Sequence, residues 1–162
     1  TGMPLIQRTV TVAGDAVANP SNVVVPVGTK YYDLAEFCGG YTAPPKKIIA
    51  GGPMMGIPLI SLDVPVVKTS SAILCMTKDE VAACEETACI NCGRCVSVCP
   101  GHVLPARLAT LAERGDMAGF EALDGMECCE CGCCSYICPA KRPLTQSIKS
   151  MRKMVLASRK KK

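Results

Sequence analysis

Cysteine spacing constrains this chain more than any other feature. The pattern C-x2-C-x2-C-x3-C-P runs from Cys89 to Pro100 and again from Cys128 to Pro139, with every matching position 39 residues apart. This is an internal repeat. Three thiolates at such gaps turn inward on one tight loop and can hold three corners of an iron-sulfur cube, which needs four thiolates in all. A zinc site would use paired Cys-x2-Cys knuckles set apart to close a tetrahedron, which three evenly spaced cysteines followed by Cys-Pro fit poorly. A disulfide framework suits short secreted chains, whereas here the 13 cysteines are odd in number and no secretory segment is visible.

The repeat therefore predicts two 4Fe-4S clusters. In two-cluster ferredoxins of the bacterial type, the Cys before the Pro serves the other cluster. That rule gives Cys89, Cys92, Cys95 and Cys138 to one cluster, and Cys128, Cys131, Cys134 and Cys99 to the second. The second copy holds six cysteines, and counting back from Cys138 through gaps of three, two and two leaves Cys129 and Cys133 outside the set. They align with Ile90 and Arg94, while Gly132 aligns with Gly93, where a small residue lets the backbone pass close to the inorganic core. Cys129 is expected to be a small buried hydrophobe. Cys38, Cys75 and Cys84 lack cluster spacing and are expected to be buried thiols. His102, the sole histidine, follows Cys99-Pro100 but has no ligand vacancy to fill.

Charge divides the chain in two. Residues 1–84 carry six basic and six acidic side chains, and residues 85–162 carry twelve and eight, for a formal net charge of +4. Each oxidised cube with its four thiolates contributes about −2, so the loaded protein would be near neutral and nucleic-acid binding does not follow. Thiols kept reduced for metal imply a reducing compartment. No apolar run approaches the roughly 20 residues that span a bilayer.

Before the clusters, Val10 and Val12 alternate with threonines, Val23 to Val25 follow a turn-like Asn19-Pro20-Ser21-Asn22, and Tyr32 to Cys38 reads as a helix closed by Gly39-Gly40. Strands are expected at Lys47–Ala50 and Ala72–Met76. Gly51 to Gly56 has some phosphate-loop spacing but no following Lys-Ser or Lys-Thr, so a structural turn is expected, with Met54 and Met55 as packing residues. Thr77 to Glu80 reads as a capping box that starts a short helix. Helices are also expected behind Pro105, ending at Gly115, from Met117 to Leu123, and behind Pro143 through Leu144, Ile148, Met151 and Val155. Arg152, Lys153 and the run Arg159 to Lys162 form a basic tail, read as a solvated end or as a contact for anionic lipid or an acidic partner.

The expected fold class is α+β: a small β-grasp domain over residues 1–80, a helical two-cluster ferredoxin-like domain over 81–142, and a C-terminal helix with the basic tail over 143–162. The chain opens on Thr1 rather than Met, which predicts that it is part of a longer protein.

The stretches VTVAGDAVANPSNVVVPVGTKYYDLAEFCGG and KKIIAGGPMMGIPLISLDVPVVKTSSAIL, followed by both cluster motifs and CPAKRPL, resemble the C-terminal part of the RnfC family, whose members belong to the Rnf complex, an ion-translocating machine linking ferredoxin and NAD in bacteria. The resemblance implies that the β-grasp domain is of the soluble-ligand-binding kind. It also implies a peripheral protein on the cytoplasmic side of the bacterial membrane, bound to other subunits of the complex and serving ferredoxin. The family's FMN- and NADH-binding region lies upstream of the residues present, so hydride chemistry falls on none of them. A similar architecture occurs in the cobalamin reductase of microcompartments and in the electron carrier of an amino-acid reductase. A different class would be a ligand-binding module with the clusters as structural staples.

Overall fold

The structure is a computed structural model that describes residues 2–160. It divides into two compact units between Ala83 and Cys84. The expected residues Lys161 and Lys162 of the basic tail lie outside the described residues.

The first unit is built on a five-stranded sheet. Strands β1 (Gln7–Ala13), β2 (Ser21–Pro26), β3 (Lys47–Ala50), β4 (Ile57–Leu59) and β5 (Ala72–Met76) stand in the order β2-β1-β5-β3-β4. Only β1 and β5 are parallel; the other pairs are antiparallel. Alternation in β1 puts Val10 and Val12 on the buried face, where they meet Ile73 of β5, Val66 and Leu34 of helix α1 (Tyr31–Phe37). Tyr31, inside this core, donates its hydroxyl to Ser70 Oγ at 2.9 Å, and Ser70 Oγ also accepts from the Val67 N–H. The one buried polar side chain found in this core is thereby satisfied. Gly39 and Gly40, both at positive φ, close α1 by returning their N–H groups to Glu36 and Ala35. Cys38 and Cys75 are buried thiols of this core.

Two expectations fail here. Met54 and Met55 are not packing residues: they sit 46% and 58% exposed on the tip of the β3–β4 hairpin, which forms one edge of the sheet. Residues 77–80 do not start a helix. Asp15, far away in sequence, accepts both the Thr77 N–H at 2.8 Å and the Thr77 hydroxyl proton, which ties that residue to the end of β1; Asp79 accepts from Lys47 Nζ at 2.7 Å and from the Ala82 N–H at 3.2 Å. The Thr77 bonds hold the carboxyl of Asp15 below the usual range.

The second unit has no strand among its described residues. Helices α2 (Arg94–Ser97) and α5 (Cys133–Ile137) are single turns inside the two motifs; α3 (Pro105–Arg114), α4 (Met117–Ala122) and α6 (Leu144–Lys160) are the body. Pro105 opens α3 and Gly115 ends it in the left-handed region. Asp116 caps α4 by accepting from the Gly119 N–H at 2.8 Å. Leu144, Ile148, Met151 and Val155 form the buried stripe of α6, and the last three share a core with Leu108 of α3 and Phe120 of α4. Fully burying such side chains contributes about 1.5–3 kcal/mol each against leaving them exposed. No helix among the described residues is long and apolar enough to cross a membrane.

Candidate metal centres

The sequence repeat is also a backbone repeat. Asn91 and Glu130 lie at φ 54° and 58°, Gly93 and Gly132 at 73° and 84°, and His102 and Lys141 at 51° and 53°, each pair 39 residues apart. Left-handed backbone is costly for a side chain with a Cβ, so its occurrence at Asn91, Glu130, His102 and Lys141 marks loops whose path is dictated by something other than local preference. The hydrogen bonds repeat as well. Cys99 and Cys138 donate to the carbonyls of Val96 and Ser135, and His102 and Lys141 donate to those of Cys99 and Cys138. His102 is therefore a turn residue, matched in place by a lysine. The Thr87 N–H, donating to Ala140 O at 3.0 Å, ties the approach to the first motif onto the end of the second.

Each loop bends its thiols into a cavity. Cys89, Cys92 and Cys95 line the first together with Cys138, and Cys128, Cys129, Cys131 and Cys134 line the second together with Cys99. Each cavity thus takes the three evenly spaced thiols of one motif and the last cysteine of the other, and Cys129 borders the second as well. The first is open, with about 180 Å³ of free space, and the second nearly closed, with about 10 Å³. Thiol exposure follows the same order: Cys89 and Cys92 are exposed, whereas Cys134 is 8% exposed.

The donor sets suit iron-sulfur cubes. Both cavities present soft sulfur donors with no imidazole or carboxylate among the lining residues. Among the described residues no three metal-ligating side chains converge as around a single ion; the thiols border a volume. Burial pushes the Cys134 thiol up, with a hydrogen bond from Thr145 pulling the other way. Burial likewise raises Cys128, opposed by the Glu130 N–H, 3.4 Å from its sulfur, and by the Arg152 cation. Metal ligation deprotonates such thiols outright, so loading releases protons.

Charged clamps flank both loops. Arg142 lines the first cavity, and its guanidinium is held by Glu113 at 2.6 Å and Glu86 at 3.4 Å. Beside the second motif, Glu130 pairs with Arg152 and, at 3.3 Å, with Lys149 of α6. Of the charges that read in sequence as a tail, Arg152 is thus committed to the second loop, and Arg159 pairs with Glu121 of α4.

Two further cysteine expectations are corrected. Cys129 is exposed, not buried, as is its counterpart Ile90, and both border the rims of their cavities. Cys84 is exposed rather than a buried thiol; it opens the second unit ahead of the first packed turn. Sequence reasoning missed Ser135, Thr145, Arg142 and Arg152. The first two had a signal, since the 39-residue offset aligns them with the apolar Val96 and Ala106.

Comparison with known proteins identifies a domain in each half of the chain. The family model for the SLBB domain matches residues 9–58, and that for the 4Fe-4S dicluster domain matches residues 88–141. The C subunit of the Na(+)-translocating ferredoxin:NAD(+) oxidoreductase complex of Acetobacterium woodii is 42% identical over 161 residues, covering 99% of this chain and 36% of that protein. The C subunit of the proton-translocating ferredoxin:NAD(+) oxidoreductase complex of Clostridium ljungdahlii is 47% identical over 113 residues, covering 70% of this chain and 25% of its own length. The C subunit of the ion-translocating oxidoreductase complex of Rhodobacter capsulatus is 41% identical over 146 residues, covering 90% and 28%. The chain spans about a third or less of the length of these relatives. It is an SLBB domain joined to a 4Fe-4S dicluster domain, homologous to part of the C subunits of the ion-translocating ferredoxin:NAD(+) oxidoreductase (Rnf) complexes.

Proposed function

We propose that this chain is the electron-relay part of the peripheral C subunit of a membrane-bound, ion-translocating ferredoxin:NAD(+) oxidoreductase, lying on the cytoplasmic side of the membrane. In this reading residues 1–80 form the soluble-ligand-binding domain, 81–142 the relay domain, and 143–162 a helix and basic tail. Cys89, Cys92, Cys95 and Cys138 ligate one cluster, and Cys99, Cys128, Cys131 and Cys134 ligate the other. The observation that supports it best is the crossed membership of the two cavities, each bordered by the evenly spaced thiols of one motif and by the last cysteine of its twin.

A bound 4Fe-4S cluster supplies reversible one-electron chemistry. The chain does the rest. Val96, Ala106 and Leu144 wall the first cavity and Val103 and Ile148 the second, keeping water from the sulfurs on those sides. Arg142 brings positive charge to the first cavity, where four thiolates gather negative charge, and Glu86 and Glu113 fix its position. NADH delivers a hydride and needs a flavin to split it into single electrons, so that step belongs to a flavin-bearing region outside these residues. Other subunits of the complex and a ferredoxin are the partners this reading implies.

The test is direct. Anaerobically prepared, cluster-loaded chain should lose its visible absorbance with dithionite, a one-electron reductant, and keep it with NADH alone. Reduction by NADH at a catalytic rate with no flavin present would overturn the relay reading, as would a loaded chain that dithionite leaves unbleached.

A further inference from the structure

The two copies match in backbone but differ in sequence, and two of the differences lie beside Cys134. In the second copy these are Ser135 and Thr145; in the first they are Val96 and Ala106, which line the first cavity with hydrocarbon. Cys134, beside Ser135 and Thr145, is 8% exposed, and burial disfavours the negative charge a ligating thiolate carries. Cys95, its counterpart, is partly exposed.

A closed chain of hydrogen bonds meets that need. The Thr145 backbone N–H donates to Ser135 Oγ at 2.9 Å, and the Ser135 hydroxyl donates to Thr145 Oγ1 at 3.0 Å. Thr145 Oγ1 lies 3.3 Å from Cys134 Sγ. A ligating sulfur has no proton and can only accept. With the Ser135 proton already directed at the threonine oxygen, the Thr145 proton is the one that points at the sulfur. Thr145 also lines the second cavity. At the first cavity, Asn91 Oδ1 lies 3.7 Å from Cys89 Sγ as an acceptor, so it gives no proton to a ligating sulfur.

We propose that Thr145, oriented by Ser135, sets the reduction potential of the cluster held by Cys99, Cys128, Cys131 and Cys134, raising it against the burial of Cys134. This rests on the ligation reading given above. Reduction adds one electron, and therefore negative charge, to the cluster and its sulfurs. A donor on a ligand sulfur stabilises the reduced state more than the oxidised one, and such bonds are among the protein's controls on cluster potential. The hydroxyl pair thus does for the closed site part of what solvent does for the open one. The two potentials stay within reach of each other, as transfer in a relay requires.

The test is a redox titration of the full chain, loaded anaerobically and followed by visible absorbance, with dithionite as electron donor and iron and sulfide measured on every sample. Thr145→Val keeps the side-chain shape without the hydroxyl. One of two one-electron waves should move to lower potential while the other stays. Thr145→Ser should keep both waves in place, and Ser135→Ala should move the same wave by less. Unchanged waves in Thr145→Val at full iron and sulfide, or equal movement of both, would overturn the proposal and leave the ligation reading standing. A wild-type chain that holds no iron or sulfide would remove the ligation reading, and this inference with it.

Discussion

Cys99 belongs to the first motif in sequence and to the second cavity in space, and that mismatch can be turned into a count. Each cube takes four thiolates and carries about four irons, so a fully loaded chain holds about eight. Cys99→Ser should disable the second site and leave about four irons. The discriminating step is to pair it. Cys131 shares the second cavity with Cys99, so Cys99→Ser/Cys131→Ser removes two ligands of one site and should still leave about four irons. Cys92 shares the motif of Cys99 but lines the other cavity, so Cys99→Ser/Cys92→Ser should leave close to none. Removing two members of one unit costs no more than removing one, whereas removing members of two units adds. Iron and acid-labile sulfide per chain, measured after anaerobic purification, give the answer. The reverse pattern, with about four irons left in Cys99→Ser/Cys92→Ser and none in Cys99→Ser/Cys131→Ser, would refute the crossed assignment.

Other expectations concern stability. Gly14 lies at φ 119°, and a Cβ there would sit 2.0 Å from the Cys75 carbonyl oxygen, so Gly14→Ala adds a left-handed penalty to a backbone clash. It should cost about 2 kcal/mol or more, seen as a fall of roughly 8 °C or more in the thermal midpoint of the first unit. The Lys47 hydrogen bond holds the Asp79 carboxyl below its ordinary value. The pair's stabilisation, about 0.5–1 kcal/mol, is therefore present above the unfolded pKa and lost as pH falls through the lower folded one. Urea unfolding of Asp79→Asn should accordingly differ from the parent at neutral pH and converge with it at acid pH. Removing the clusters should abolish much of the helical circular dichroism while the strand signal persists, because metal binding in such modules is folding free energy; unchanged helix in the apo-protein would contradict this.

Much of this was legible in the sequence, for reasons that differ by element. The cysteine sets could be read because a tight loop ties spacing directly to thiol position. β1, β3 and β5 could be read because alternation or an apolar run survives in each. β4 could not: Ile57-Pro58-Leu59 is three residues with a central proline, and it becomes a strand only because β3 lies beside it. Thr77 carried a valid capping pattern, but its N–H and hydroxyl bond instead to Asp15, which the parallel pairing of β1 with β5 brings near. Cys129 was misjudged because residue type suggested burial, whereas the loop path set exposure, as it does for Ile90. Thr145 lies eleven residues beyond Cys134 and reaches its sulfur only because α6 folds back beside α5; comparing the two copies position by position was the signal that could have found it.

The central claim is that these residues hold two 4Fe-4S clusters, and combined iron and acid-labile sulfide analysis of anaerobically prepared protein tests it most directly. About eight of each per chain are expected. One stably bound zinc per motif with no sulfide would contradict the account.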